Sequence, residues 1–158
     1  TSDIVNKLVF DKNPPDACYL VMQKEAAMRF MGIGEGTLIS LLIKPFFELK
    51  VEYEFAKSDF VPSPSVDVVL FSIIKKDHPL IKSEHLAEYK KFVNFTLNQQ
   101  KPSLKLRLNK IFTSEQFYRL SKNLRFSIDA TAQDLSFEQW LGLFEYYQVG
   151  VSKEKKRI

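Results

Sequence analysis

The spacing of apolar residues along the first third of the chain predicts alternating helices and strands. Apolar positions three and four apart predict a helix that begins near Ser2 and is stopped by the Asn-Pro-Pro-Asp run at 13–16. Residues 17–22 (ACYLVM) are a short apolar run without alternation, which is typical of a strand buried on both faces in a parallel sheet. Further helices are predicted over 23–31 and 38–44.

Two strand-like runs, 47–55 and 66–75, frame a proline loop with the sequence FVPSPSVD at 60–67. Each proline fixes its own φ, removes an amide donor and biases the preceding residue toward extended geometry. We therefore expect residues 61–65 to form a stiff extended loop that holds Phe60 at a sheet edge. There the ring can stack on a flat ligand such as a nucleobase; the alternative is that Phe60 is a core residue at a strand end.

No strand pattern follows Asp77, and the apolar spacing predicts helices over 83–99, from Pro102, over 114–123 and over 137–148. Two Ser/Thr-x-x-Gln pairs are capping boxes for the last two helices, Thr113 with Gln116 and Ser136 with Gln139. An aromatic stripe is expected to form the core of this bundle: Phe117, Phe126, Phe137, Trp140, Leu141, Phe144 and Tyr147.

The chain is therefore expected to contain an α/β domain at 1–77 and an all-α domain at 78–158. The α/β part looks incomplete, because a strand of parallel type needs parallel neighbours and none is encoded here. Glycines 32, 34 and 36 follow a predicted helix instead of opening one. A helix-terminating glycine is therefore favoured over a dinucleotide or S-adenosylmethionine loop.

Composition is that of a globular chain, with 45% hydrophobic and 27% charged residues. Residues 1–77 carry nine basic and 11 acidic side chains, net −2, whereas residues 78–158 carry 14 and eight, net +6. The helical part is thus electropositive and suits a polyanion, although a solvated lysine-rich surface is an equal alternative. The lone Cys18 excludes an internal disulfide and fits a reducing, cytoplasmic compartment. One cysteine and two histidines disfavour zinc, and no apolar run is long enough to cross a membrane.

Five segments together resemble the ribosomal RNA adenine dimethyltransferases. They are QKEAAMRF (23–30), the glycine break, TLISLLIKPFFE (37–48), FVPSPSVD (60–67) and SFEQWLGLFEYY (136–147). The family includes the erythromycin-resistance (Erm-type) methyltransferases of large-subunit RNA and the dimethyladenosine transferases of small-subunit RNA. KPFFE and the short helical domain favour the Erm-type branch, while QKE is common in the other.

The resemblance implies the C-terminal part of a Rossmann-like, S-adenosylmethionine-dependent methyltransferase sheet, followed by a small helical RNA-binding domain. The family's glycine-rich cofactor loop, its acidic cofactor residue and its asparagine-proline-aromatic turn are not found in this sequence. We therefore expect most of the S-adenosylmethionine site to lie in an absent N-terminal half, and this fragment to be inactive alone. The alternatives are a non-catalytic RNA-binding module and a fragment that self-associates through an exposed sheet edge.

The implied reaction methylates the exocyclic amine of an adenine, and the resemblance makes Phe60 one of the aromatic faces that hold the base flat. Contacts to ribosomal RNA are expected from two sets of residues, with a solvated helix start or an ordinary polar loop as the alternative for the first set. That first set comprises Lys24, Arg29, Lys57 and Ser63. The second set comprises Lys101, Lys105, Arg107, Lys110, Arg119, Lys122 and Arg125.

Overall fold

The computed structural model describes residues 2–33 and 38–158, and it divides the chain into a unit that ends at Lys82 and a unit that begins at Ser83. This division lies within five residues of the change in pattern near residue 78. No helix in the described part of the chain is long and apolar enough to span a membrane.

The first unit is a three-stranded antiparallel sheet, in the order β1-β3-β2, with helices packed on one face. Its elements are α1 (Ser2–Val9), β1 (Ala17–Gln23), α2 (Lys24–Met31), α3 (Leu38–Ile43), β2 (Phe47–Phe55) and β3 (Val68–Lys75). The predicted elements are recovered, and β2 has the predicted bounds. Gly32 ends α2 in the left-handed conformation, φ 73°, as expected for a helix-terminating glycine. Gly34 and Gly36 lie outside the described residues.

The core of this unit lies between the helices and one face of the sheet. Alternate residues of β3, namely Val69, Phe71 and Ile73, are buried there together with Ala27 and Phe30 of α2. No described residue of the first unit covers the opposite face of the sheet, and we call it the open face. Its members include Tyr19 at 60% exposure and Val21 at 57%.

Within the described chain the strand at 17–22 is neither covered on both faces nor paired with a parallel strand, in contrast to the expectation for a parallel-type strand; a parallel neighbour outside this chain stays a prediction. Strand β1 pairs antiparallel with β3, and no other described strand lies along its second edge. Its side chains alternate, with Met22 in the core and Tyr19 and Val21 on the open face. The run is apolar on both sides, but only one side has a covering layer in the described chain.

A β-bulge at Glu52 changes the direction of the second half of β2. Before the bulge Val51 pairs with the core residue Phe71, whereas after it Tyr53 pairs with Leu70. Because one extra residue shifts the alternation, Tyr53 and Phe55 face the open side, although strict alternation would send them into the core.

The second unit, residues 83–158, contains only helices and connecting loops. Its α-helices are α4 (Leu86–Leu97), α5 (Leu104–Arg107), α6 (Ser114–Asn123) and α7 (Phe137–Gly150). Both predicted capping boxes are confirmed, since the backbone N–H of Gln116 donates to Thr113 Oγ1 and that of Gln139 to Ser136 Oγ. The helix predicted from Pro102 begins instead at Leu104 and makes a single turn, with Ser103 as its N-cap.

Aromatic side chains fill the core of the second unit, as predicted. Phe92 of α4 lies 4.8 Å from Tyr147 and 6.4 Å from Trp140, measured between ring centroids. Phe117, Trp140, Phe144 and Tyr147 are all buried, while Phe126, Phe137 and Leu141 are half-buried.

Candidate functional site

The loop between β2 and β3 is fastened by its own polar groups. The backbone N–H of Ala56 donates to the Asp59 carboxylate at 2.9 Å, which caps a short 3₁₀ turn at Lys57–Asp59. The Ser63 hydroxyl donates to the Lys57 carbonyl at 3.1 Å, and the Lys57 ammonium donates to the Ser65 carbonyl at 3.4 Å. The connection therefore begins with a turn that precedes the predicted extended stretch, and residues 61–65 form an irregular segment without helix or strand. Its rigidity comes from these hydrogen bonds as well as from its two prolines.

Phe60 lies at the end of a row of three aromatic rings. Its ring meets Phe55 edge-on, with centroids 5.5 Å apart, and Phe55 meets Tyr53 edge-on at 5.1 Å. Phe60 is half-buried and is not a member of the core cluster, so part of its surface remains accessible. The next residue in the chain, Val61, is 99% exposed, an apolar side chain in solvent that the sequence interpretation did not single out.

A depression of about 440 Å³ lies where the end of β1 meets the end of this loop, with Gln23, Lys24, Met28, Lys57 and Asp67 among its lining residues. The backbone N–H of Lys24 donates to the Asp67 carbonyl at 2.9 Å, which ties the start of α2 to the loop. Lys24 and Lys57, two of the predicted contacts, are therefore brought together. Phe60 does not line this depression.

Carboxylates accompany the cations of this site. Lys24 Nζ lies 2.7 Å from Glu54 Oε1, and this hydrogen bond raises the pKa of Lys24. Lys57 Nζ lies 3.8 Å from Asp67 Oδ1. An incoming phosphate would therefore compete with these carboxylates for the two ammonium groups.

Two other residues of the first predicted set have local partners. Arg29 pairs with Glu25 one helical turn away, at 3.0 Å, and both side chains are exposed. The Ser63 hydroxyl donates within the loop and helps to shape it. Their contact with RNA stays a prediction.

In the second unit, two of the side chains predicted to contact RNA donate hydrogen bonds to backbone carbonyls. The Arg107 guanidinium donates to the carbonyls of Lys101 at 2.8 Å, Leu97 at 3.0 Å and Thr96 at 3.2 Å. It thereby satisfies two carbonyls in the last turn of α4, which have no helical partner. The Lys101 ammonium donates to the Leu106 carbonyl at 3.0 Å.

The remaining cations of the second unit are exposed. Lys105 lies on α5 and Lys110 follows it. Arg119 and Lys122 lie on the solvent side of α6, and Arg125 comes two residues after the end of that helix. Arg119 pairs with Glu115, which raises the pKa of the arginine. Lys122 Nζ lies 4.9 Å from the centre of the Tyr118 ring.

The described residues do not fit a bound S-adenosylmethionine. A nucleoside-binding loop of this kind joins a strand to a helix through glycines, whereas β1 passes directly into α2 at Gln23 and Lys24. Gly32 follows a helix and caps its carboxyl end. In the described part of the chain no group of three or more His, Cys, Asp or Glu residues is placed to bind a metal ion.

Comparison with known proteins gives one family over nearly the whole chain. The family model described as Ribosomal RNA adenine dimethylase matches residues 1–149. A Bacillus anthracis rRNA adenine N-6-methyltransferase is 28% identical over 125 residues, which cover 79% of this chain and 44% of that protein. The ribosomal RNA small subunit methyltransferase A of Natranaerobius thermophilus is 26% identical over 149 residues, 91% of this chain and 49% of that protein.

Solved structures show the same fold. The 23S rRNA methyltransferase ErmE superposes with a TM-score of 0.82 at 21% identity, over 93% of this chain and 60% of that one. A dimethyladenosine transferase from Plasmodium falciparum superposes with a TM-score of 0.63 at 18% identity, over 96% and 64% of the two chains. The chain spans about half the length of the two curated relatives, the methyltransferases of Bacillus anthracis and Natranaerobius thermophilus.

Proposed function

The chain belongs to the ribosomal RNA adenine dimethylase family, and from this premise we propose that it is the RNA-engaging part of an S-adenosylmethionine-dependent rRNA adenine N6-methyltransferase. We further propose that the enzyme is of the Erm type and acts on 23S rRNA in the cytoplasm. The better superposition on ErmE, 0.82 against 0.63, supports the Erm-type assignment. The expected C-terminal position in a longer enzyme is consistent with a match to only about half of each relative.

The observation that carries the proposal is the half-buried ring of Phe60, which keeps some accessible surface, on a loop fastened by hydrogen bonds. Methylation of an exocyclic amine requires the base to leave its stack and lie flat against the site. An aromatic face supplies that contact, at about 1–3 kcal/mol per base. The edge-on contact with Phe55, at 5.5 Å, fixes the Phe60 ring before the base arrives.

Lys24 and Lys57 are suited to bind the backbone phosphates on either side of the extruded adenine. Lys24 pairs with Glu54 and Lys57 pairs with Asp67, so an arriving phosphate would exchange one ion pair for another. The cofactor supplies the methyl group, and its binding site would lie outside this chain. The contribution of these residues is therefore confined to the RNA.

The exposed cations of the second unit would hold the surrounding RNA without reading its sequence. Lys105, Lys110, Arg119, Lys122 and Arg125 are exposed. Each phosphate neutralised by such a cation releases counterions, so the affinity should fall steeply with salt.

The proposal is tested by methyl transfer from labelled S-adenosylmethionine to 23S and 16S rRNA, with the full-length enzyme that contains this segment. Phe60→Ala should reduce turnover by about tenfold to a hundredfold, while Phe60→Tyr retains most of it, because only the alanine removes the stacking face. Transfer to 16S rRNA alone would refute the Erm-type assignment. Unchanged turnover in Phe60→Ala would remove Phe60 from the site. Expression of an active Erm-type enzyme should also raise erythromycin resistance.

A second candidate is a non-catalytic RNA-binding or self-associating module, which the open face of the sheet favours. Tyr19, Val21 and Tyr53 are each more than half exposed there, and the second edge of β1 has no described partner strand. Light scattering on the 158-residue chain distinguishes the cases. A dimer that binds RNA would support the module, whereas a monomer would count against self-association.

A further inference from the structure

The solvent side of helix α6 carries a large aromatic ring that the core does not use. Phe117 and Leu120 on this helix are buried, at 1% and 6% exposure, and they anchor it to the second unit. Tyr118 points away from them and is 50% exposed. The hydrophobic packing of α6 is therefore supplied by its neighbours, and Tyr118 is available for another contact.

A cation holds the Tyr118 ring in place. Lys122 is one helical turn further along, and its ammonium lies 4.9 Å from the ring centroid. This interaction restricts the ring and engages one of its faces, while half of the residue's surface stays open to solvent. A restrained aromatic ring loses little freedom when a flat partner stacks on it.

The sequence segment that contains Tyr118 is strongly basic. Residues 101–125 contain seven Lys or Arg side chains and one acid, Glu115, whose carboxylate is already paired with Arg119. Arg125 comes two residues after the end of α6, just beyond the C-cap Leu124, with a left-handed backbone at φ 60°. A glycine would adopt this conformation without strain, whereas a residue with a side chain is strained there. The sequence nevertheless has an arginine at this position.

We propose that the exposed ring of Tyr118 stacks on an unpaired base of the RNA, while Lys122 and Arg125 bind the adjoining phosphates. The inference rests on the proposed function and adds a base contact remote in sequence from the Phe60 loop. Aromatic rings interleaved with cations are the arrangement by which proteins bind single strands. In a duplex the base faces are already stacked, so the partner is a single-stranded loop or bulge.

The test uses the 158-residue chain carrying Phe60→Ala, so that the Phe60 ring contributes no quenching, and a single-stranded RNA of about ten nucleotides. The RNA contains the fluorescent base 2-aminopurine, whose emission falls on stacking. Addition of Tyr118→Leu should abolish most of the quenching and weaken binding about tenfold, whereas Tyr118→Phe should keep both. Tyr19→Leu is the matched control, since that tyrosine is 60% exposed on the first unit. Circular dichroism establishes that each variant is folded.

The outcomes separate this inference from the proposed function. The chain binds the RNA in one possible outcome, but Tyr118→Leu leaves the 2-aminopurine quenching and the RNA affinity unchanged from the chain with Phe60→Ala alone. Stacking on Tyr118 is then refuted and the proposed function stands. Preference for a matched duplex over the single strand would also refute it. If no form of the chain binds RNA at physiological salt, the inference fails together with the proposed RNA-binding role of this segment.

Discussion

Replacement of Arg107 by alanine should destabilise the second unit, because this side chain joins α4 to the segment that follows it. Its guanidinium donates three hydrogen bonds of 2.8–3.2 Å, two of them to carbonyls in the last turn of α4. A hydrogen bond to a charged group contributes about 1.5–3 kcal/mol, but Arg107 is half-buried and water can reach part of the site. We therefore expect a loss of about 3 kcal/mol for the set rather than the sum of three.

Trp140 makes this measurement specific to the second unit. It is the one tryptophan in the sequence and is 1% exposed in the second-unit core, so its fluorescence reports the unfolding of that unit. In urea, Arg107→Ala should lower the midpoint of the Trp140 transition, and on heating it should lower Tm by about 10 °C or more. Arg107→Lys keeps the charge but cannot donate in the same forked geometry. Its urea midpoint and Tm should therefore lie between those of the unsubstituted protein and those of Arg107→Ala.

Lys105→Ala is the control for this experiment. Lys105 lies on the same single-turn helix α5 and is exposed, so its removal should change the stability by less than about 0.5 kcal/mol. If Arg107→Ala left the Trp140 transition unchanged but weakened RNA binding, the structural role would be refuted and the RNA contact predicted from the sequence would be favoured.

Three further substitutions test the backbone and the electrostatics. Gly32→Ala should cost about 1 kcal/mol or more in urea unfolding, because φ is +73° and the new Cβ would lie 2.8 Å from Ser40 Oγ; equal stability would contradict the strain. Arg125→Gly should raise Tm slightly by relieving φ 60°, while it reduces the salt dependence of RNA binding by about one phosphate contact; a drop in Tm would refute this. The pKa of Glu52 is lowered, first by its hydrogen bond with Lys50 and then by that with Ser72. The stability it contributes is therefore present above pH about 4.3 and lost as the pH falls through the lowered pKa, so Glu52→Gln should reduce the acid sensitivity of unfolding followed by circular dichroism.

Much of the secondary structure could be predicted because its signals are local. The capping boxes at Thr113 and Ser136 are formed by residues three apart, so the sequence contains both partners of each contact. Gly32 ends its helix by its own conformational freedom. Strand β2 is a run that contains β-branched and aromatic residues and precedes the proline loop, and both of its ends, at residues 47 and 55, were predicted correctly.

The pairing and the exposed face of the sheet could not be predicted because they depend on distant segments. A six-residue apolar run is compatible with a strand covered on one side or on both, and the actual neighbours of β1 decide which. The bulge at Glu52 has no distinct sequence signal, yet it sends Tyr53 and Phe55 to the open face and so determines what Phe60 packs against.

Lys24 and Lys57 were predicted separately, and the structure brings both to one depression at the same end of the sheet. Their contact with RNA stays a prediction. The carboxylates that accompany them, and the backbone acceptors of Arg107, depend on side-chain directions that residue spacing does not reveal. Tyr118 was missed because it lies between two core positions and has no motif of its own.

The middle of the open sheet face is polar, and this restricts what can cover it. The Ser72 hydroxyl donates to Glu52 Oε1 at 2.8 Å, and the other Glu52 oxygen lies 2.7 Å from the Lys50 ammonium. A purely aliphatic layer placed over this trio would strip water from two charges and leave part of their hydrogen-bonding capacity unused. A segment that covers this face must therefore carry a hydrogen-bonding group at its centre or trap water there. Hydrophobicity alone would not determine which segment can bind.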